Sequence, residues 1–219
     1  MRTLAITSVK MNIEDFLESV VPSEAALQEY GSLLSCYDDG VEKSGILVKY
    51  YNFVEEQGKK TICELAYSHS DFLRLVTQVI VLFTSKSISK GTRVLHNFSG
   101  NRIEDLIIRA AAVFLGFVPV TVNWQADSVE QIKYKLEATE AKAVVFDNES
   151  LAVSELKATF PDITFLHHKE IYQSLPIEDF LAWISANSNG LPLSTDTRCI
   201  IFTSGTTGKP KGIINHFIL

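Results

Sequence analysis

Between two apolar runs, Cys199-Ile200-Ile201-Phe202 and Gly212-Ile213-Ile214, the chain places Thr203, Ser204, Gly205, Thr206, Thr207, Gly208, Lys209, Pro210 and Lys211. Such a segment can hold an anion. Glycines let backbone N–H groups turn toward a negative group, the hydroxyls of Thr203, Ser204, Thr206 and Thr207 each add a donor, and Lys209 and Lys211 supply mobile positive charge. Arg198, Lys209 and Lys211 against Asp196 make the chain from residue 196 onward net positive, although the whole carries a net charge of −6. A polyphosphate is the ligand this donor set matches. The spacing is not that of a Walker loop: Gly205 stands too close to Gly208-Lys209, and Pro210 occupies the place of the magnesium-binding hydroxyl. No G-x-G-x-x-G run supports dinucleotide binding. A Ser/Thr/Gly linker would share the composition, yet linkers are not entered from one hydrophobic strand and left by another apolar run.

The elements that must position this loop are legible upstream. Residues 46–53 are rich in β-branched and aromatic side chains, and 60–63 reads as a second strand after a turn at Gln57-Gly58, so a hairpin is expected. Leu65, His69, Phe72, Val76, Val79 and Phe83 recur at helical spacing and predict one packed stripe, with His69 a core or boundary histidine. From Gly91 onward strands and helices alternate. Strands are expected at 93–98, 118–122, 143–146, 163–166 and 198–202. Helices are expected over a stripe from Ile103 to Phe114, capped by Asn101 with Glu104 and ended by Gly116, then from a cap at Ser128 with Gln131, over 150–159 and over 177–185. This alternation predicts an α/β fold, a mostly parallel sheet with helices on both faces and ligands at the carboxyl ends of its strands. Residues 1–45 carry weak signals, a helix start at Pro22-Ser23-Glu24 and a stop at Gly31. Residues 187–192 read as a loop.

Composition narrows the class. With 46% apolar and 21% charged residues in 219 positions, the chain is neither disordered nor low-complexity and is long enough for a core. Its net charge does not favour nucleic acid or anionic membranes as partners. Cys36, Cys63 and Cys199 are distant and odd in number, and the first ten residues lack an apolar leader, so a reducing cytoplasmic location is expected without disulfides or a thiolate metal site. The apolar stretch 106–122 is broken by Arg109 and Pro119 and is too short to span a membrane. His167-His168, adjacent after a strand, would point in opposite directions and is expected at the surface rather than on a metal.

Residues 203–212 resemble the signature phosphate loop of the adenylate-forming superfamily, which includes acyl-CoA synthetases, peptide-synthetase adenylation domains and luciferases. Residues 116–123, 128–132 and 141–145 resemble the segment that precedes this loop in that family, and the resemblance covers residue 46 to the end. Departures are local. Gapless register puts the family's proline on Thr121, with Pro119 displaced by two; Gly91-Thr92 replaces its Gly-Asp; and His216 comes one residue early, so it is given no catalytic role.

The resemblance implies a fold like the first half of the large N-terminal domain of these enzymes, with residues 1–45 as an extension, 46–219 as a partial AMP-binding domain, and the C-terminal domain absent. It implies a carboxylate attacking the α-phosphate of ATP with magnesium, pyrophosphate leaving, and the acyl-adenylate passing to coenzyme A or a carrier thiol. Within that reaction Thr203, Ser204, Gly205, Thr206, Thr207, Gly208, Lys209 and Lys211 would bind the phosphates, with Lys211 favoured as the loop's structural partner. The family's remaining ATP-, magnesium- and ribose-binding elements follow this loop, so no residue here is assigned a catalytic or metal-ligating role. The expected protein is a truncated or fragmentary acid–thiol ligase, inactive alone. The alternatives are a non-catalytic nucleotide-binding or interaction protein, the front of a peptide-synthetase adenylation domain, and an inert fragment with exposed strand edges.

Overall fold

A computed structural model describes residues 46–56, 59–187, 196–203 and 210–216. The expected hairpin is formed by β1 (Ile46–Glu56) and β2 (Lys59–Ser68), antiparallel and separate from the main sheet. The strand β2 runs five residues further than its β-branched start suggested. It stops where Ser68 and Asp71 form a reciprocal capping box that opens α1 (His69–Ser85). Each side chain satisfies a backbone N–H that the first helical turn leaves unpaired. Leu65 therefore lies on β2, 41% exposed, and the packed stripe starts at Phe72. His69 sits at the boundary, half-buried.

The main sheet holds β3 (Arg93–Asn97), β4 (Val118–Thr121), β5 (Ala143–Phe146), β6 (Thr164–His167), β7 (Thr197–Thr203) and β8 (Lys211–His216) in the order β6-β5-β3-β4-β7-β8. All neighbours are parallel except β7 and β8. Between them run α2 (Ile103–Leu115), α3 (Val129–Thr139), α4 (Leu151–Thr159), a 3-10 turn (His168–Gln173) and α5 (Phe180–Ala186). The order explains why both faces are covered. The crossover β3-α2-β4 steps toward one edge, whereas β4-α3-β5 returns past β3 toward the other, and right-handed crossovers of opposite direction put their helices on opposite faces.

Two apolar layers result. On one face Leu95, Val120 and Val144 meet Ile132 and Leu136 of α3 and Leu156 of α4. On the other, α1 packs on α2, the rings of Phe83 and Phe117 lie 4.9 Å apart, and Phe114 meets Phe180 edge-on at 4.9 Å. Each fully buried phenylalanine or leucine contributes about 2–3 kcal/mol of transfer free energy.

Several boundaries differ from expectation for tertiary reasons. Helix α2 is entered from Arg102 with no side-chain cap, because Glu104 is drawn into the interior and Arg102 is committed to Asp147 at 2.7 Å. Helix α5 starts at Phe180 rather than Ile177: the N–H of Ile177 bonds to Thr77 Oγ1 at 3.2 Å, and Asp179 caps the helix through the N–H of Ala182. The signals at 22–31, the turn at Gln57-Gly58 and residues 188–192 lie outside the described residues. Among those described, no helix is long and apolar enough to cross a membrane.

Candidate functional site

The polar segment hangs from two adjacent antiparallel strands. Thr203 closes β7, Lys211 opens β8 opposite it, and Thr203 Oγ1 donates to the Lys211 carbonyl at 3.5 Å. The parallel pairing of β7 with β4 puts this root at the carboxyl edge of the sheet, where parallel sheets bind ligands. Of the expected phosphate-binding residues, Thr203 and Lys211 are thus adjacent across the hairpin, while Ser204, Gly205, Thr206, Thr207, Gly208 and Lys209 lie outside the described residues. Phe202 faces Gly212, where an added methyl would touch the ring at 3.4 Å; an aromatic ring opposite a strand glycine covers backbone that would otherwise be bare.

Beneath the root is a buried cation that sequence reasoning missed. Lys135 of α3 is 2% exposed, pairs with the Asp127 carboxylate, donates to the Thr121 carbonyl at 3.3 Å and stands 5.0 Å from the centroid of the Phe202 ring. Asp127 also accepts the N–H of Asn123 at 2.6 Å, and Asn123 Oδ1 accepts that of Gln125 at 3.1 Å. The connection that follows β4 is organised around this pair. A lysine four residues before a helix C-terminus gives no sequence signal of burial; only the surrounding apolar positions of α3 could have hinted at it.

A second polar chain crosses β3, α2 and β4. His96, fully buried, meets Asp105 at 2.5 Å through Nδ1; Asp105 accepts from Arg109 Nε at 3.1 Å, and Arg109 Nη2 donates to Thr121 Oγ1 at 3.2 Å. Burial lowers the pKa of His96, so Nδ1 donates as neutral imidazole and Nε2 is left without a partner. Burial alone would raise the Asp105 pKa, but the His96 hydrogen bond and Arg109 outweigh it and hold the carboxyl at about 2. Thr121 is thereby tied to α2, and β4 keeps its parallel register through Pro119. The Asp105/Arg109 spacing of four on a helix was the available signal.

Next to Asp105 in the first turn of α2, Glu104 is 6% exposed and accepts from Tyr172 at 2.8 Å and from His168 Nδ1 at 2.9 Å. The surface placement expected for His167-His168 is corrected here: His168 is also 6% exposed, because the 3-10 turn after β6 folds it back onto α2. Asp147, at the end of β5, accepts from Ser99 and Arg102, which outweighs burial and lowers its pKa. His216 is exposed at the end of β8 and lines a cleft of about 320 Å³ with Arg109, Pro119, Arg198, Cys199 and Asn215. That cleft reaches the ends of β7 and β8 farthest from the polar segment. No group of three or more histidine, cysteine or acidic residues that could hold a metal occurs among the described residues.

The family model described as AMP-binding enzyme matches residues 53–216. A peptide synthase, N-(5-amino-5-carboxypentanoyl)-L-cysteinyl-D-valine synthase of Penicillium rubens, is 34% identical over 116 residues, which are 52% of this chain and 3% of that protein. A long-chain-fatty-acid–CoA ligase of Mycobacterium bovis is 32% identical over 142 residues, 58% of this chain and 22% of the relative. The chain thus spans a small part of the length of the curated relatives it matches. Among solved structures, o-succinylbenzoate coenzyme A synthetase of Bacillus subtilis, in complex with ATP and magnesium ion, superposes with a TM-score of 0.55 at 18% identity, over 70% of this chain and 38% of that one. The mixed, mostly parallel sheet is the fold of the N-terminal part of such adenylate-forming enzymes. On the family match over most of its described residues, this chain belongs to the AMP-binding enzyme family.

Proposed function

We propose that segment 203–211 binds the polyphosphate of ATP, and that the chain contributes this element to an ATP-dependent, AMP-forming acid–thiol ligase. The observation that carries this reading is the root formed by Thr203 and Lys211 at the carboxyl edge of a parallel sheet, in a chain of this family. The donor chemistry fits. Residues 197–216 contain hydroxyls, glycine N–H groups and two lysines but no carboxylate, so they suit an anion and offer magnesium no acidic ligand. Magnesium would come with the phosphates, whose charge it screens. The hydroxyls of Thr203, Ser204, Thr206 and Thr207 and the N–H groups of Gly205 and Gly208 orient the β- and γ-phosphates, while Lys209 and Lys211 offset their charge. Such fixed donors favour departure of pyrophosphate because they need not reorganise as charge builds on it.

The kinship with both a fatty-acid ligase and a peptide synthase supports a carboxylic acid as the group activated, and coenzyme A or a carrier thiol as the acceptor. We assign residues 1–45 to an extension and 46–219 to the front of the AMP-binding domain. Calorimetric titration of the 219-residue chain with magnesium ATP tests the reading. Saturable binding, weakened at least about tenfold by Lys211→Ala or by the double change Thr206→Ala with Thr207→Ala, is expected. No saturable binding, or binding indifferent to these changes, refutes it. In an acid-dependent pyrophosphate–ATP exchange assay, these residues alone are expected to give no turnover.

A further inference from the structure

A lysine ammonium costs several kcal/mol to take out of water, and a hydrophobic side chain of similar length fills the same volume without that cost. Lys135 is nonetheless 2% exposed. Its contacts show what the charge accomplishes. Through Asp127 and the Thr121 carbonyl it fixes the connection leaving β4, and through the face of Phe202 it reaches the residue immediately before Thr203. Tyr134 adds an edge-on contact to the same ring at 6.4 Å between centroids. Strands β4 and β7 are joined in the sheet through Val120 and Ile200. One buried cation therefore touches both the connection that leaves β4 and the carboxyl end of β7. A ring that lies under a desolvated cation and close against Gly212 leaves the end of β7 little freedom to twist.

We propose that Lys135 is a positioning residue for polyphosphate binding: its ammonium, paired with Asp127, sets the orientation of Phe202 and so of Thr203 and Lys211 at the root of the 203–211 segment. This inference rests on the reading of that segment as the phosphate site. Lys135 itself contacts no ligand.

The test uses the full 219-residue chain, with magnesium ATP and inorganic tripolyphosphate as probes. Lys135→Met is expected to weaken both at least about tenfold, Lys135→Arg to restore most of the loss because it keeps a cation over the ring, and Phe202→Leu to weaken both in the same direction. Val153→Ala, a core change on α4, serves as the control of comparable stability loss and is expected to leave both affinities within about twofold. Amide resonances of Thr203 and Lys211 should shift in Lys135→Met and return in Lys135→Arg. Should Lys135→Met fail to fold, Phe202→Leu and Lys135→Arg decide alone. Wild-type chain that binds neither probe overturns the phosphate-site reading and this inference with it. Wild-type binding that Lys135→Met and Phe202→Leu leave unchanged, or weaken no more than Val153→Ala does, overturns this inference alone.

Discussion

An ionisable group packed inside a protein must find its partners atom by atom, and Glu104, His96 and Asp105 show how differently that is met. Glu104 accepts from His168 and Tyr172; burial alone would raise its pKa, but the His168 hydrogen bond, its own backbone N–H and Tyr172 lower it. Removing the carboxylate strands the buried His168 donor and frees the partly exposed Tyr172 hydroxyl, so Glu104→Ala should cost roughly 2–3 kcal/mol in urea unfolding at neutral pH. The pH dependence follows from the directions. A depressed folded-state pKa gives stability that is present above the unfolded value and lost as pH falls. For His96 the loss begins below its ordinary 6.5, because the unfolded imidazole takes up a proton that the buried one refuses. For Asp105 it falls between 3.8 and about 2, and Glu104 and Asp147 act in the same acidic range. The midpoint of urea unfolding, followed from pH 8 to pH 2, should therefore decline in two stages. Asp105→Asn should reduce the lower stage and leave the His96 stage in place.

At the scale of elements, the local chemistry of helix ends was readable wherever it was not contested. Ser128 caps α3 with Gln131 in the expected reciprocal pair, and Ser128→Ala should cost about 1 kcal/mol in thermal or urea unfolding. Gly116 ends α2 at φ +75°, where any side chain is strained, so Gly116→Ala should cost about 1 kcal/mol or more by the same measurement. The cap predicted for α2 at Asn101 failed because Glu104 had a better use. Counted from a cap at Asn101, Glu104 stands at the third position, from which a carboxylate can reach back to the cap, but here it points inward to His168, on a turn more than sixty residues away.

In the whole molecule, the sheet order sets which surfaces are finished and which are open. Among the described residues, strand β8 is an edge of the sheet with all six residues exposed, including Ile213 at 49% and Ile214 at 55%. An exposed edge with apolar side chains templates pairing with another chain. Concentrated protein should associate, as measured by light scattering. Ile214→Lys should suppress that association without lowering the unfolding midpoint, since the side chain it replaces is already half in water. The opposite edge strand, β6, is short and partly covered, and no such behaviour is expected there.

The alternation of strand and helix, the cap at Ser128, the stop at Gly116 and the donor-rich composition of segment 203–211 were all legible in the residues, because each rests on near neighbours in the chain. Order of strands, the antiparallel pairing of β7 with β8 and the burial of Lys135, His96 and His168 were not. Those depend on partners brought together across 8, 9 and 64 positions, and a charged residue's own spacing does not say whether it faces water or a counter-charge. The donor-rich composition of that segment was thus local information. What lies beneath its root was decided by packing between separate elements, which brings Lys135 of α3 to the Thr121 carbonyl of β4 and the Phe202 ring of β7.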